Sequence, residues 1–291
     1  AYIRREGAPI VVKADGLAAG KGVIVAMTER EALDAIDALI EDNSFGEAGA
    51  RIVIEEFMEG EEASLLVFTD GKTIRPMISA QDHKRAFDGD RGPNTGGMGT
   101  YAPAPVMTPE MIERATEEIL QPIIAAMAQE GRTYRGCLYL GLMITRDGPK
   151  VVEFNARFGD PETQVVLPLL DGDLVQIMCA CADGTLADVP IQWKDGAAVC
   201  VVMAAGGYPA SYEKGHEIYG IAAAEETGAL VFHAGTAKQG DRLVTNGGRV
   251  LGVVGMGADI ASAVKKSYAA TEKISFKDAY YRKDIAHRAL H

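Results

Sequence analysis

Two lysines bracket a glycine-rich turn in the run Lys13-Ala14-Asp15-Gly16-Leu17-Ala18-Ala19-Gly20-Lys21-Gly22, which lies between an apolar strand and the residues Val23, Ile24 and Val25. Backbone N–H groups of such a turn can curl around phosphate oxygens, with an ammonium on either side. The run is not a P-loop, because Asp15 stands where the first glycine is needed and Gly22 where a hydroxyl should meet a metal. The alternative for this run is an ordinary glycine-rich hairpin. Further along, Glu153 and Asn155 stand two apart at the end of a strand, so they share one face while Val152 and Phe154 are expected to point the other way, into the core. A carboxylate and an amide carbonyl are hard oxygen donors of the kind that Mg²⁺ or Mn²⁺ prefers. A polar strand face turned to solvent would look the same.

Arg157-Phe158-Gly159-Asp160-Pro161-Glu162 sets one cation and two anions across a tight turn just beyond that pair, with a helix expected to start at Pro161. A capped helix with a surface ion pair explains Asp160 and Pro161 but not Arg157 beside Asn155. In Ile54-Glu55-Glu56-Phe57-Met58-Glu59-Gly60-Glu61-Glu62 an apolar strand exits into a short linker and returns, a layout able to offer backbone groups to a flat base, with Glu62 placed to accept ribose hydroxyls. A solvated acidic turn is the plainer reading of that charge run. Gln81-Asp82-His83-Lys84-Arg85 and Pro93-Asn94-Thr95-Gly96-Gly97-Met98-Gly99 join an ion-rich segment to a loop whose glycines allow close approach to a small anionic substrate. His83 by itself is more often structural. Gly97, Gly99 and Ala102 match a dinucleotide fingerprint only formally, since Pro103 and Pro105 forbid the helix it needs.

The elements that must position these residues read as an α+β chain of about two domains. A helix tail over residues 1–8 meets a strand at 9–13; Thr28 with Glu31 forms a capping box for a helix running to about Asn43. Strands follow at 52–56, 63–68 and 73–78, the last two joined by an Asp70-Gly71 turn. Residues 85–105 are too long and polar for a simple connection and are expected to line the site. Thr108 and Pro109 start a helix that Gly131 ends; strands at 137–145 and 150–154 and two helices across 162–181 complete this body. Beyond a boundary near Lys194, short strands and Gly-rich turns lead to a helix at 260–273.

Composition narrows the partners. The 29 Lys and Arg against 41 Asp and Glu give a formal charge of −12, which disfavours nucleic acid and anionic membranes. Phosphate must then be met by a few local cations, N–H groups or a metal. Cys137, Cys179, Cys181 and Cys200 sit in apolar sequence without metal-ligand spacing and read as small buried hydrophobes. With no apolar span of membrane length, a cytoplasmic protein is expected.

Taken in order along the chain, these segments resemble the ATP-grasp body of the phosphoribosylamine–glycine ligases, also called glycinamide ribonucleotide synthetases. Residues 157–162 are similar to that family's signature, and residues 81–85 and 95–99 point to it among ATP-grasp enzymes. The resemblance implies two α/β subdomains clasping ATP over residues 1–194, the first about 70 forming a lid, then a small β-rich domain over 195–291. It implies that Lys13, Gly20, Lys21 and Gly22 hold ATP phosphates, Glu55, Glu56, Phe57 and Met58 the adenine, Glu62 the ribose, and Glu153 with Asn155 the Mg²⁺ or Mn²⁺. Arg157 and Lys21 would be catalytic, and Asp82, His83, Lys84, Gly97, Asp160 and Glu162 would bind the substrates glycine and 5-phosphoribosylamine. Where several relatives carry a further acidic ligand, this chain has Leu140-Gly141-Leu142. The family also opens with a separate N-terminal domain, expected in the full-length protein. Another ATP-grasp carboxylate–amine ligase, or an ATP-binding fragment without catalysis, are the alternatives.

Overall fold

The computed structural model describes residues 1–16, 22–41 and 51–290. Its chain groups into two units, Ala1–Glu59 and Gly60–His291. In the first, α1 (Tyr2–Glu6) precedes β1 (Ile10–Ala14), β2 (Val23–Ala26), α2 (Glu29–Ile36) and β3 (Ile52–Glu56), and the strands form an antiparallel sheet in the order β2-β1-β3. Thr28 caps α2 by accepting from the Glu31 N–H, while the Glu31 carboxylate reaches back to the Met27 N–H across 2.7 Å. The helix continues as one π-helical turn, Asp37–Glu41; Asn43, where it was expected to end, lies outside the described residues. One sheet face buries Ile10, Val12 and Ala26 against Ala32, Ala35 and Leu39 of the helix. The opposite face leaves Val23, Val25 and Val53 exposed, and Lys13 shares it, standing opposite both Val23 and Val53.

The second unit begins with β4 (Glu61–Thr69), β5 (Ile74–Pro76), β6 (Gln81–Asp82), β7 (Arg85–Phe87), β8 (Arg91–Asn94) and β9 (Gly99–Ala102). Next come α3 (Pro109–Ala115), α4 (Gln121–Gln129), β10 (Gly136–Thr145), β11 (Gly148–Asn155), α5 (Thr163–Val166), β12 (Leu170–Asp171), α6 (Leu174–Asp183) and β13 (Gln192–Trp193). The remainder is β14 (Ala197–Ala204), α7 (Ile221–Glu225), β15 (Leu230–His233), β16 (Thr236–Gln239), β17 (Arg242–Thr245), β18 (Arg249–Gly257) and α8 (Ile260–Thr271). Between α3 and α4 a π-helical turn, Thr116–Leu120, accommodates Pro122, whose ring and missing N–H would break a regular α ladder there.

Two antiparallel sheets carry this unit: β11-β10-β4-β5 and β15-β18-β14-β9-β6. Buried residues alternate sides along β4, with Leu66 and Phe68 in one cluster and Leu65 and Val67 in another. The first of these clusters also contains Ala198, Cys200 and Val202 of β14 and Val254 of β18, so the same apolar core joins both sheets.

That joining changes two expectations. The first unit stops at Glu59, short of the expected 70, because Glu61–Thr69 pairs along its whole length with β10. The polar stretch 85–105 is not a free loop, since β9 is the strand next to β14 and pairs Val199 with Tyr101. The sheet therefore draws strands from both sides of position 194. The helix expected at Pro161 starts instead at Thr163, with the Pro161 ring packed where a side chain on Gly97 would sit. Cys137, Cys181 and Cys200 are buried, but Cys179 is exposed on α6; the residues around it in sequence are apolar, yet it falls on the helix face turned outward.

Candidate active site

In the first unit the Ala14 N–H donates to the Gly22 carbonyl across 2.8 Å, closing the base of the glycine-rich turn. Gly20 and Lys21 lie outside the described residues. Lys13, at the end of β1, forms an ion pair with Glu55 on the neighbouring β3. The pair stands on the sheet face that exposes Val23, Val25 and Val53. An aliphatic surface with one ammonium in it suits a planar base and its phosphate tail. Glu56 is exposed, and Phe57 and Met58, just past β3, are half-buried.

In the second unit the end of β11 brings Glu153 and Asn155 onto one face as expected, close enough for the Asn155 amide to donate to Glu153 Oε1 across 3.1 Å. The other half of that expectation fails: Phe154 is 37% exposed and so does not point into the core. Gly141 faces Glu153 across the β10–β11 ladder, and a side chain there would approach Glu153 Cγ to 3.3 Å. A glycine at this point gives the carboxylate room. Two oxygen donors on one face, both accessible from outside the core, fit a hard divalent cation.

Beside Glu153 lies a narrow crevice lined by Glu62, Ser64, Asp82, Lys84 and Tyr139 among others. Lys84 is ion-paired with Glu62, so Glu62, expected to hold a ribose, already has a partner in this state. Burial pushes the Asp82 carboxyl up to about 7, Glu162 and Glu62 pushing the same way against the pull of Lys84. Burial works against the Lys84 ammonium, but Asp82 and Glu62, with Glu153 beyond them, outweigh it and hold its proton. The crevice thus collects carboxylates around one cation, a setting for a small zwitterion.

Two expected substrate contacts prove internal. Glu162 is 3% exposed and accepts from the Ser64 hydroxyl at 3.0 Å and the Tyr139 hydroxyl at 3.2 Å, which makes it a support under the crevice. His83 is wholly buried, and its Nε2 accepts from the Ala286 N–H across 2.9 Å. Burial keeps the ring below its ordinary pKa and therefore neutral. His83, Asp90 and His287 bring ligand atoms within 4.8 Å of one another, but Arg282 and Arg288 take the Asp90 oxygens at 2.9 and 2.7 Å, and two guanidiniums there repel a cation.

Arg157 is exposed, its guanidinium donating to the Phe158 carbonyl at 3.0 Å. Asp160 is engaged on both oxygens, by Gln164 at 2.9 Å and by Arg249 at 2.8 Å, so it too is occupied. Gly97 lies in the same place, its carbonyl 3.4 Å from Arg249. Sequence reasoning missed Arg249, Ser64 and Tyr139. Ser64 and Tyr139 stand within strands that read as apolar, and Arg249 is about 90 residues from its partner, so none carries a local signal.

Sheets built in this order, with a lysine-bearing sheet in one unit and a Glu-x-Asn strand end in the other, define an ATP-grasp enzyme; the biotin carboxylase domain of Hydrogenobacter thermophilus 2-oxoglutarate carboxylase shares the fold, at a TM-score of 0.68 and 15% identity over 96% of this chain and 60% of that one. The family model for the phosphoribosylglycinamide synthetase ATP-grasp (A) domain matches residues 1–163, and that for the synthetase C domain matches 198–288. The chain is 56% identical over 290 residues to a phosphoribosylamine–glycine ligase of Mesorhizobium japonicum, spanning all of this chain and 68% of that protein. The crystal structure of the Thermotoga maritima phosphoribosylamine–glycine ligase matches with a TM-score of 0.86 and 38% identity over 98% of this chain and 71% of that one. The chain belongs to the phosphoribosylglycinamide synthetase family.

Proposed function

We propose that this chain ligates glycine to 5-phosphoribosylamine at the expense of ATP, in purine biosynthesis, by way of a glycyl phosphate. A glycine carboxylate oxygen attacks the γ-phosphorus, the bond to the β-phosphate oxygen breaks and ADP leaves. The amine nitrogen of 5-phosphoribosylamine then attacks the acyl carbon, phosphate departs with the C–O bond electrons, and the nitrogen loses a proton to give the amide. No enzyme nucleophile is needed, so the protein's contribution is positioning and charge neutralisation.

Lys13, Lys21, Gly20 and Gly22 receive the phosphates, Glu55, Glu56, Phe57 and Met58 the base, and Glu62 the ribose once Lys84 releases it. Glu153 and Asn155 would hold Mg²⁺ or Mn²⁺, which would supply charge neutralisation for the phosphates. Arg157 meets the phosphoryl group in transfer, while Asp82 and Lys84 orient glycine and Gly97 lets the backbone approach it. The observation that carries this reading is the crevice in which Asp82, Glu62 and Lys84 stand beside Glu153, since the groups that would receive a small amino acid and the carboxylate that would hold the metal meet at one place. The four free thiols suit a reducing cytoplasm, and no helix among the described residues is long and apolar enough to cross a membrane.

Calorimetric titration with a non-hydrolysable ATP analogue tests the nucleotide site. Binding that strengthens with Mg²⁺ and loses that gain in Glu153→Gln supports the assignment; equal Mg²⁺ dependence in the variant contradicts it.

A further inference from the structure

Arg249, the first residue of β18, reaches two segments at once. One terminal nitrogen donates to the carbonyls of Gly96 at 2.7 Å and Asp160 at 3.2 Å, with Gly97 at 3.4 Å, and the other to Asp160 Oδ2 at 2.8 Å. The guanidinium occupies the space beside Gly96, where a side chain would come within 2.9 Å of it. Gly97 is closed off on its other side by Pro161, at 2.5 Å from where its own side chain would begin. Tyr208 accepts from the Gly96 N–H at 3.3 Å, and Gln164 holds the second oxygen of Asp160. A planar fork with five donors can satisfy carbonyls and a carboxylate together, which a lysine cannot.

We propose that Arg249 is a positioning residue for the ligation: it ties the Thr95-Gly96-Gly97 segment to the turn of Arg157 and Asp160, so that the glycine loop and the Arg157 cation are presented to the substrates in a fixed relation. The proposal rests on the reading of the site given above. It gives Asp160 a role within the turn: one of its oxygens receives Arg249 and the other Gln164. Part of the machinery of the ATP-grasp body is then supplied by a strand more than 80 residues downstream of it in sequence.

The test is steady-state kinetics of the full enzyme with Arg249→Lys, Arg249→Ala, Asp160→Asn and the Arg249→Ala/Asp160→Asn double variant, alongside thermal melting. A misplacement of this kind costs on the order of a hundredfold in kcat, so Arg249→Lys should lose about that while its KM for ATP stays within about twofold and its melting temperature is kept. The losses of Arg249→Ala and Asp160→Asn should fail to multiply in the double variant, because the two residues act as one unit. A wild-type kcat in Arg249→Lys, a parallel loss of ATP affinity and melting temperature, or fully multiplicative losses would overturn the positioning role. A wild-type enzyme that releases no ADP in response to glycine would instead overturn the functional reading beneath it.

Discussion

The Asn155 amide nitrogen lies 3.1 Å from Glu153 Oε1, a hydrogen bond between residues two apart on the same strand face. That bond fixes the amide so that its nitrogen is turned to the carboxylate, and a cation on this face must draw the amide oxygen round to replace it. Changing Asn155 to Ala should therefore weaken Mg²⁺-dependent nucleotide binding by at least about tenfold, measured by calorimetry at several Mg²⁺ concentrations. An unchanged Mg²⁺ dependence would place the metal elsewhere.

Asp82 makes stability depend on pH. Its carboxyl is pushed up to about 7 in the folded chain and lies near 3.9 when unfolded, so folding favours the protonated form. The contribution is fully present below about pH 4 and is lost as pH rises through about 7. Asp82→Asn, which cannot ionise, should gain melting temperature relative to the wild type between pH 5 and pH 8. A constant difference across that range would mean that Lys84, not burial, governs the carboxyl.

Arg282 is wholly buried, bound by Asp284 at 2.7 Å and Asp90 at 2.9 Å, and it donates to the Arg85 carbonyl at 3.0 Å. Through it the C-terminal segment is tied to the strand pair that follows His83. Removing one member of a buried ionic group costs about 3–5 kcal/mol, so Arg282→Leu should lower unfolding free energy in urea by that order. The Arg282 guanidinium also helps to hold the Asp284 carboxyl down at about 2 against the pull of burial, so this part of the stability persists at neutral pH and is lost as pH falls toward 2. A loss under about 1 kcal/mol would show the network to be dispensable.

Much of this was legible in the sequence and some was not. Period two placed Glu153 and Asn155 together, and Thr28 and Thr108 marked two helix starts that the structure keeps. These signals are local. The pairing of Tyr101 with Val199 spans nearly a hundred residues and leaves no periodicity to read, so the polar stretch holding β9 looked like a loop. Arg282 and Arg249 carry no local signal for the same reason: what buries or engages them is far away in sequence. The resemblance implies substrate contacts at His83 and Glu162, and only packing shows that Ala286, Ser64 and Tyr139 engage them instead.

Gly97 and Gly131 separate two costs of a side chain. Both have positive φ, +109° and +71°, but Gly131 has open space while a side chain on Gly97 would meet Pro161 Cδ at 2.5 Å. Gly131→Ala should cost about 1–2 kcal/mol from the backbone alone. Gly97→Ala should cost more and should lower kcat as well, since the loop must move; equal stability losses with unchanged kcat would remove Gly97 from the site.

The claim that this chain activates glycine is tested most directly by trapping. Incubated with ATP, Mg²⁺, glycine and hydroxylamine, the protein should form glycine hydroxamate and ADP in equal amounts, with both products abolished in Glu153→Gln and neither formed from alanine in place of glycine at a comparable rate. ADP released without hydroxamate, or hydroxamate formed equally well from other amino acids, would contradict a glycyl phosphate made at this site.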